Sequence, residues 1–425
     1  MAFEPSLAFA RRCDAADPLR EFREKFALPR DARGEPLLYF AGHSLGLMPL
    51  AVKDRIAEEL DDWARLGVLG HESARRPWIH YHENLTAGLQ HIVGAKASEV
   101  VAMNSLTIDL HLMMASFYRP SGARRKILIE AGAFSSDRHA VATQIEWRGL
   151  DPRVDLVELP PRKGEDLVSE DAVENYLSKR GGEIALVLWP GVQFRTGQAF
   201  DLDRIARAGH SVGAMVGFDL AHSVGNMQLS LHDANADFAA WCSYKYLNAG
   251  PGAIGGCFIH ERHFGSAPLA RLSGWWGHDV KTRFQMGPDF SAMHGAPGWQ
   301  VSNPSVLSAA PLLASLDLFQ AARMERIRAK SVQLTGFLEY LLEPLAQSIQ
   351  IVTPRNPASR GAQLSLRVLG APDRGKRMFN WLTGQGAICD WRDPDIIRVA
   401  PIPLYNTFED VFRLVELLTE ASRAA

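Results

Sequence analysis

Short, nearly continuous apolar runs recur along this chain with helical stretches between them, and that alternation limits the fold more than any other feature. The runs are Lys126–Glu130 (KILIE), Ile184–Trp189 (IALVLW), Met215–Asp219 (MVGFD), Phe238–Ser243 (FAAWCS) and Ala253–Ile259 (AIGGCFI). Strands without a polar face belong in a sheet buried on both sides, which predicts an α/β fold with a mostly parallel sheet. Between two runs, Asp201 to Gly209 (DLDRIARAG) reads as a helix with Asp at its start and Gly at its end. Val52–Leu66 and Pro77–Gly94 show helical periodicity upstream. From about Pro304 the pattern changes to long helices, followed by a smaller α/β unit. That unit holds runs at Ile349–Val352, Gln363–Val368 and Ile396–Ala400, with helices around Lys376–Thr383 and from Phe408 to Ala421.

The chain has 425 residues, enough for two domains. Its net charge of −2 offers no electrostatic footprint for nucleic acid or an anionic membrane. No apolar run is long enough to span a bilayer, and the N-terminal residues lack the apolar core of a signal peptide. Cys13, Cys242, Cys257 and Cys389 are scattered without a C-x-x-C pair, as expected of reduced thiols in the cytoplasm.

In an open parallel sheet, ligands sit beyond the carboxyl ends of the strands. Asp219 closes one apolar run, and Tyr244 and Lys245 follow another, just ahead of a Gly250-Pro251-Gly252 turn. A Lys and an Asp converging there are what an enzyme using pyridoxal phosphate (PLP) needs. The Lys holds the cofactor as a Schiff base and the Asp keeps its pyridine nitrogen protonated. Each residue also has a plainer role: Lys245 as a surface lysine, Asp219 as a turn former.

Further residues fit the same site. His222 orients Asp219, touches phosphate, or is a satisfied core histidine. Asn104-Ser105-Leu106-Thr107 precedes a helical stretch and supplies amides and hydroxyls for a phosphate, or merely a helix cap. Phe134, in the Phe134–Asp137 block after a strand, can stack on a flat ring. Arg398 is a cation within an apolar strand and calls for a carboxylate, from an internal acid or an amino-acid substrate. His80 and His82 are spaced so that a helix points them to different sides, so no metal site is read there.

With these residues in place, the sequence resembles kynureninase, a PLP enzyme of fold type I, the aspartate-aminotransferase fold. The matching blocks include YFAGHSLGLMP from Tyr39, GHESARRPW from Gly70, NSLTIDLHLMM, FSSDRHA, PGVQFRTGQ, GFDLAHSVGN, WCSYKYLNAGPG, GWWGH, VSNPS and IIRVAPIPLYN. The resemblance implies a large PLP-binding domain (51–305) with a seven-stranded sheet, a smaller C-terminal domain (306–425), and an N-terminal segment (1–50) packed with the latter. It implies hydrolysis of L-kynurenine or 3-hydroxy-L-kynurenine to an anthranilate and L-alanine, in tryptophan degradation or NAD synthesis. Lys245 would carry the cofactor, Asp219 face the ring nitrogen, and Phe134 stack on the ring. Leu106, Thr107, Asp137, His222 and Tyr244 would complete the cofactor shell, with Tyr244 or Lys245 moving protons. Trp275 and Asn303 would reach the phosphate region from the partner subunit of a homodimer. Arg398 would clamp the substrate's α-carboxylate, and His71, Ser302 and Asn303 would lie near its aromatic ring, a set similar to members favouring the 3-hydroxy substrate. Two positions depart from the family's blocks: His43 stands where Asn is usual, and Pro190 where some members have Ser. The rival expectations are another fold-type-I enzyme, such as a cysteine desulfurase or aminotransferase, and a catalytically silent PLP-fold protein. Of the four cysteines only Cys389 lies in the C-terminal part, in a stretch without a clear loop.

Overall fold

The computed structural model describes residues 3–265 and 269–424. Its larger sheet has seven strands: β1 Val100–Met103, β2 Lys126–Glu130, β3 Leu156–Leu159, β4 Ile184–Pro190, β5 Met215–Asp219, β6 Phe238–Trp241 and β7 Gly255–Ile259. They lie in the order β1-β7-β6-β5-β4-β2-β3. Strand β7 runs antiparallel to both neighbours, and the other pairings are parallel. Alternate side chains enter separate cores, as period-two geometry requires. Leu128, Val187, Trp189 and Trp241 pack on one face, and Ile127, Ile129, Leu186 and Phe238 on the other. The fold is therefore the expected α/β arrangement.

Several boundaries differ from expectation. The FAAWCS strand stops at Trp241. The AIGGCFI strand begins at Gly255, whose N–H donates to the Asn104 carbonyl. The helix after Asp201 does not end at Gly209 but runs Leu202–Ser211, with the Asp201 side chain capping Arg204 N. Gly209 serves close packing instead, since a Cβ there would lie 2.4 Å from Val216. The Pro77–Gly94 stretch is not one helix. It makes a 3₁₀ turn at Trp78–His80 and a helix at Glu83–Val93, which Gly94 ends at φ +62°. His80 is exposed beside Glu83, whereas His82 is buried, so the two form no common site.

The smaller sheet is antiparallel, with β8 Ile349–Ile351, β9 Leu364–Val368, β10 Asp390–Arg392 and β11 Ile396–Val399 in the order β10-β11-β9-β8. Helices Arg374–Gly384 and Phe408–Ala424 pack on it. The N-terminal helix Leu7–Ala16 adds Phe9 and Cys13 to that core. Helix Val306–Ala322 instead sends Ala309, Leu312, Leu316 and Phe319 into the large core, although its sequence pattern groups it with the later helices. Being apolar on nearly every side, it gives no sequence signal of which core it joins. Segment 38–46 ties the two units together. Leu38–Tyr39 pairs with Ala387–Ile388, Ala400 N donates to the Phe40 carbonyl, and Gly46 N donates to the Tyr244 carbonyl. Among the described residues, no helix is long and apolar enough to cross a membrane.

The amino ends of the parallel strands are held by buried carboxylates. Asp237 accepts from Val216 N (2.6 Å) and Arg262 Nη2 (2.5 Å), with His210 Nε2 at 2.9 Å and His263 Nε2 at 2.8 Å. These partners outweigh the cost of burial and hold its carboxyl well below the usual range. Close by, Glu99 meets His232 and His260, the one ligand-like group among the described residues. Its imidazoles stack at 4.9 Å and 11°. Glu99 also accepts from Lys96 N and Glu261 N, which makes it a clamp on the chain.

Removing the Asp237 carboxylate strands the cation and imidazoles around it. Asp237→Ala is expected to cost about 3 kcal/mol of stability at neutral pH, measured by urea unfolding. Because the folded-state pKa is depressed, this contribution is present above the unfolded carboxylate value of roughly 4 and fades as the pH falls through the native value. A difference that instead grew with acid would contradict the assignment.

Candidate active site

Four strand exits and the starts of helices Leu106–Phe117 and Ser135–Glu146 meet at the carboxyl end of the large sheet. They enclose a cavity of about 160 Å³. Strand β2 contributes Glu130, β4 Pro190, β5 Asp219, and β6 leads through Ser243 to Tyr244 and Lys245. The sequence-derived residues Leu106, Thr107, Phe134, Asp137, Asp219, His222, Tyr244 and Lys245 all line this one cavity.

Lys245 Nζ lies 3.0 Å from His222 Nε2 and faces the rings of Phe134 and Tyr244 at 5.9 and 5.8 Å. Burial, and then the Lys245 charge, hold the His222 imidazole well below its usual range. Being neutral, it accepts from Nζ at Nε2, and its Nδ1 has no hydrogen-bond partner among the described residues. His222 therefore attends the lysine rather than orienting Asp219. Asp219 accepts from Ala221 N at 2.7 Å, so it forms a turn and faces the cavity at once. The plainer role and the functional one coexist.

Helix Leu106–Phe117 starts at the cavity wall. The Ser105 hydroxyl caps nothing, and the first N–H returned to the preceding turn is Asp109 N to the Ser105 carbonyl. The amides ahead of it are left free, which suits an anion. Thr107 Oγ1 and Ser136 Oγ lie 2.7 Å apart at the same wall. Phe134 stands at the mouth, 40% exposed, edge-on to Phe194 at 5.3 Å.

Two buried acids shape the cavity's charge. Asp137 is pushed well above its usual range by burial and then by Asp219, and its Oδ1 has no partner. Glu130, not among the residues expected from sequence, is 3% exposed and pushed up to about 8, chiefly by burial. Gln193 Nε2 donates to Glu130 Oε1 (3.3 Å) and to the Gly132 carbonyl (3.2 Å). Gln193 Oε1 accepts from Arg195 N and Thr196 N, so this one amide joins the loops after β2 and β4. Gln193 and Phe194 lie in the PGVQFRTGQ block, but neither was given a role from the sequence.

Arg398 does not line the cavity but lies behind it. It is 1% exposed, with Nε 3.0 Å and Nη2 2.7 Å from Asp390 Oδ1, and Nη1 donates 2.6 Å to the Phe194 carbonyl. Its internal partner is thus Asp390, directly opposite in the β10–β11 register. Burial lowers its pKa to about 10, which leaves it a cation at neutral pH. A guanidinium has five N–H donors. The contacts above use one on each nitrogen, so one remains on each terminal nitrogen, the pair a carboxylate takes.

Four expected residues stay outside. His71 is exposed beside Trp78, Trp275 is 47% exposed, and Ser302 and Asn303 are exposed in the loop before helix Val306–Ala322. Of the two departures, Pro190 lines the cavity with no N–H to offer, and His43 is wholly buried.

A flat ring bearing an aldehyde and a phosphate fits this donor set. It has an amine at one side, a carboxylate at a strand exit, free amides and hydroxyls at a helix start, and unpartnered atoms on Asp137 and His222. Comparisons with known proteins agree. The model of the kynureninase C-terminal domain matches residues 327–418. The chain is 54% identical to the kynureninase of Myxococcus xanthus (strain DK1622), over 99% of this chain and 98% of that protein. It is 55% identical to that of Xanthomonas campestris pv. campestris (strain B100), covering 97% of each. Among solved structures, the apo cysteine desulfurase of Thermococcus onnurineus NA1 superposes with a TM-score of 0.75 at 18% identity, over 92% of this chain and 95% of that one. A C-DES mutant with glycine covalently linked to the PLP cofactor gives 0.76 at 19%, over 90% and 96%. At these identities the two structures speak for the fold alone, PLP fold type I.

Proposed function

The chain belongs to the kynureninase family, PLP-dependent hydrolases acting on carbon–carbon bonds, and from that premise we propose how its residues divide the work on L-kynurenine and 3-hydroxy-L-kynurenine. The products are anthranilate or 3-hydroxyanthranilate and L-alanine. The observation that carries the reading is the meeting of Lys245 and Asp219 in one cavity, with the spare donors of Arg398 behind it.

When bound, PLP supplies an electron sink for the substrate's Cα. Lys245 holds the cofactor and moves the proton at Cα. Asp219 would keep the pyridine nitrogen protonated, and Phe134 would pack against the ring. The amides at Leu106 and Thr107 and the Thr107 hydroxyl take the phosphate. Asp137 and His222 close the cradle. Tyr244, whose pKa burial raises above the usual phenol value, keeps its O–H and donates it. Arg398 holds the α-carboxylate through its two remaining N–H groups.

Trp275, Asn303, Ser302 and His71 enter the site of a second copy, so the active form is a homodimer. In support, they are exposed in a single chain, and Phe284 and Met286 near Trp275 are exposed apolar residues as well. The four cysteines are all buried, which suits work in the cytoplasm. The desulfurase alternative needs a mobile nucleophilic thiol. Cys389 is buried between the strands Ala387–Ile388 and Asp390–Arg392, and burial pushes its thiol up to about 12.

The test is turnover of both substrates, side by side, by the purified holoenzyme. Equimolar alanine and fluorescent anthranilate are expected, with the 3-hydroxy substrate cleaved more efficiently. A keto acid in place of alanine, or no cleavage of either substrate, would refute the proposal.

A further inference from the structure

His43 is a fully buried imidazole whose ring nitrogens make no well-formed hydrogen bond among the described residues, the Phe40 carbonyl being its one weak backbone contact. Buried polar groups are rarely left so, because each unpaired donor or acceptor costs roughly 1–3 kcal/mol. The position of its loop suggests what the ring is for. On one side Ala400 N, two residues beyond Arg398, donates to the Phe40 carbonyl at 2.9 Å. On the other, Gly46 N donates to the carbonyl of Tyr244, the residue before Lys245, at 2.8 Å. The loop is pressed tight at both ends: a Cβ on Gly42 would lie 2.1 Å from the Tyr405 hydroxyl, and one on Gly46 would lie 2.3 Å from the Lys245 carbonyl. His43 is therefore fixed between the strand of the carboxylate clamp and the turn of the cofactor lysine. Its ring lies 6.5 Å from that of His222, which contacts Lys245 Nζ.

An amino-acid substrate has to span the same two points, its amine toward Lys245 and its carboxylate toward Arg398. We infer that His43 is a substrate-binding residue whose imidazole N–H donates to the α-carboxylate alongside Arg398. Burial and the nearby cations Arg398, Lys245 and Arg392 keep the ring neutral, so it offers a donor without adding a third charge. An Asn side chain also carries an N–H, which makes His43→Asn the conservative variant.

This inference rests on the roles proposed above for Arg398 and Lys245. It is tested in the holoenzyme by following the cofactor's visible absorbance while titrating L-alanine, which has the carboxylate but no aryl group. Anthranilate, which lacks the amino-acid end, is titrated in parallel. His43→Ala is expected to weaken alanine binding and raise KM for kynurenine by about 10- to 100-fold. Anthranilate affinity, kcat and the absorbance of the unliganded enzyme should barely move, and His43→Asn should recover most of the alanine affinity. Unchanged alanine affinity in His43→Ala, or equal losses for alanine and anthranilate in both variants, would overturn the inference. Failure of the kynureninase reading is seen separately, as absence of kynurenine cleavage by the unsubstituted enzyme.

Discussion

Lys245→Ala is expected to lower kynurenine turnover by roughly 10⁴-fold or more, since it removes both the covalent anchor and the base. No other lysine lines the cavity, and the nearest titratable nitrogen is His222 Nε2, 3.0 Å from Nζ. That imidazole is neutral but has no primary amine to hold the cofactor, so it can take over neither part of the role. Lys245 Nζ has few contacts to lose, with His222 as its hydrogen-bonding neighbour, so the fold should survive the change. The measurement is kcat for alanine release under cofactor saturation, with a thermal melt as the control on folding. Activity within about tenfold of the unsubstituted enzyme would show that another group does the work attributed to Lys245.

The second large effect belongs to Asp219. Asp219→Asn keeps an oxygen for the 2.7 Å bond from Ala221 N, so the turn after β5 should hold. What it removes is the charge opposite the ring nitrogen. Losing one preorganised electrostatic contact of this kind typically costs about 10²–10³-fold in kcat. The variant should still bind cofactor on Lys245, with an altered absorbance, and substrate KM should change little because Arg398 is untouched. A rise in KM at constant kcat would instead assign Asp219 to substrate binding. Two buried acids, Glu130 and Asp137, share the cavity and are pushed up chiefly by burial and secondarily by the Asp219 charge, so only that lesser part is lost to both in the variant.

How much of this could be read from the sequence depends on the range of the interaction involved. Strands β2 and β5 match the apolar runs residue for residue, since each stops at a polar residue at the sheet edge. Strand β1 is four residues placed directly after a 3₁₀ turn, and β3 is a half-exposed edge strand, so neither gives a long apolar run. Asp219 and Lys245 were legible because one closes an apolar strand and the other comes just beyond one. Glu130 carries the same signal as Asp219, an acid closing an apolar run, and could have been found in that way. The Arg398–Asp390 pair depends on hairpin register, and the Gln193 link on two loops meeting, neither of which leaves a local pattern. His71, Trp275, Ser302 and Asn303 came only from the resemblance, because their proposed work lies in a neighbouring subunit. The missed break at Tyr81 has a local cause. A 3₁₀ turn and an α-helix share nearly the same apolar spacing over one turn.

The most direct test of the account is reduction of the purified holoenzyme with borohydride, followed by peptide mapping. The protein should show the visible band of lysine-bound PLP, and after reduction a single labelled peptide should contain Lys245, the label being lost in Lys245→Ala. A colourless protein under cofactor saturation, or a label on any other lysine, would contradict the site described.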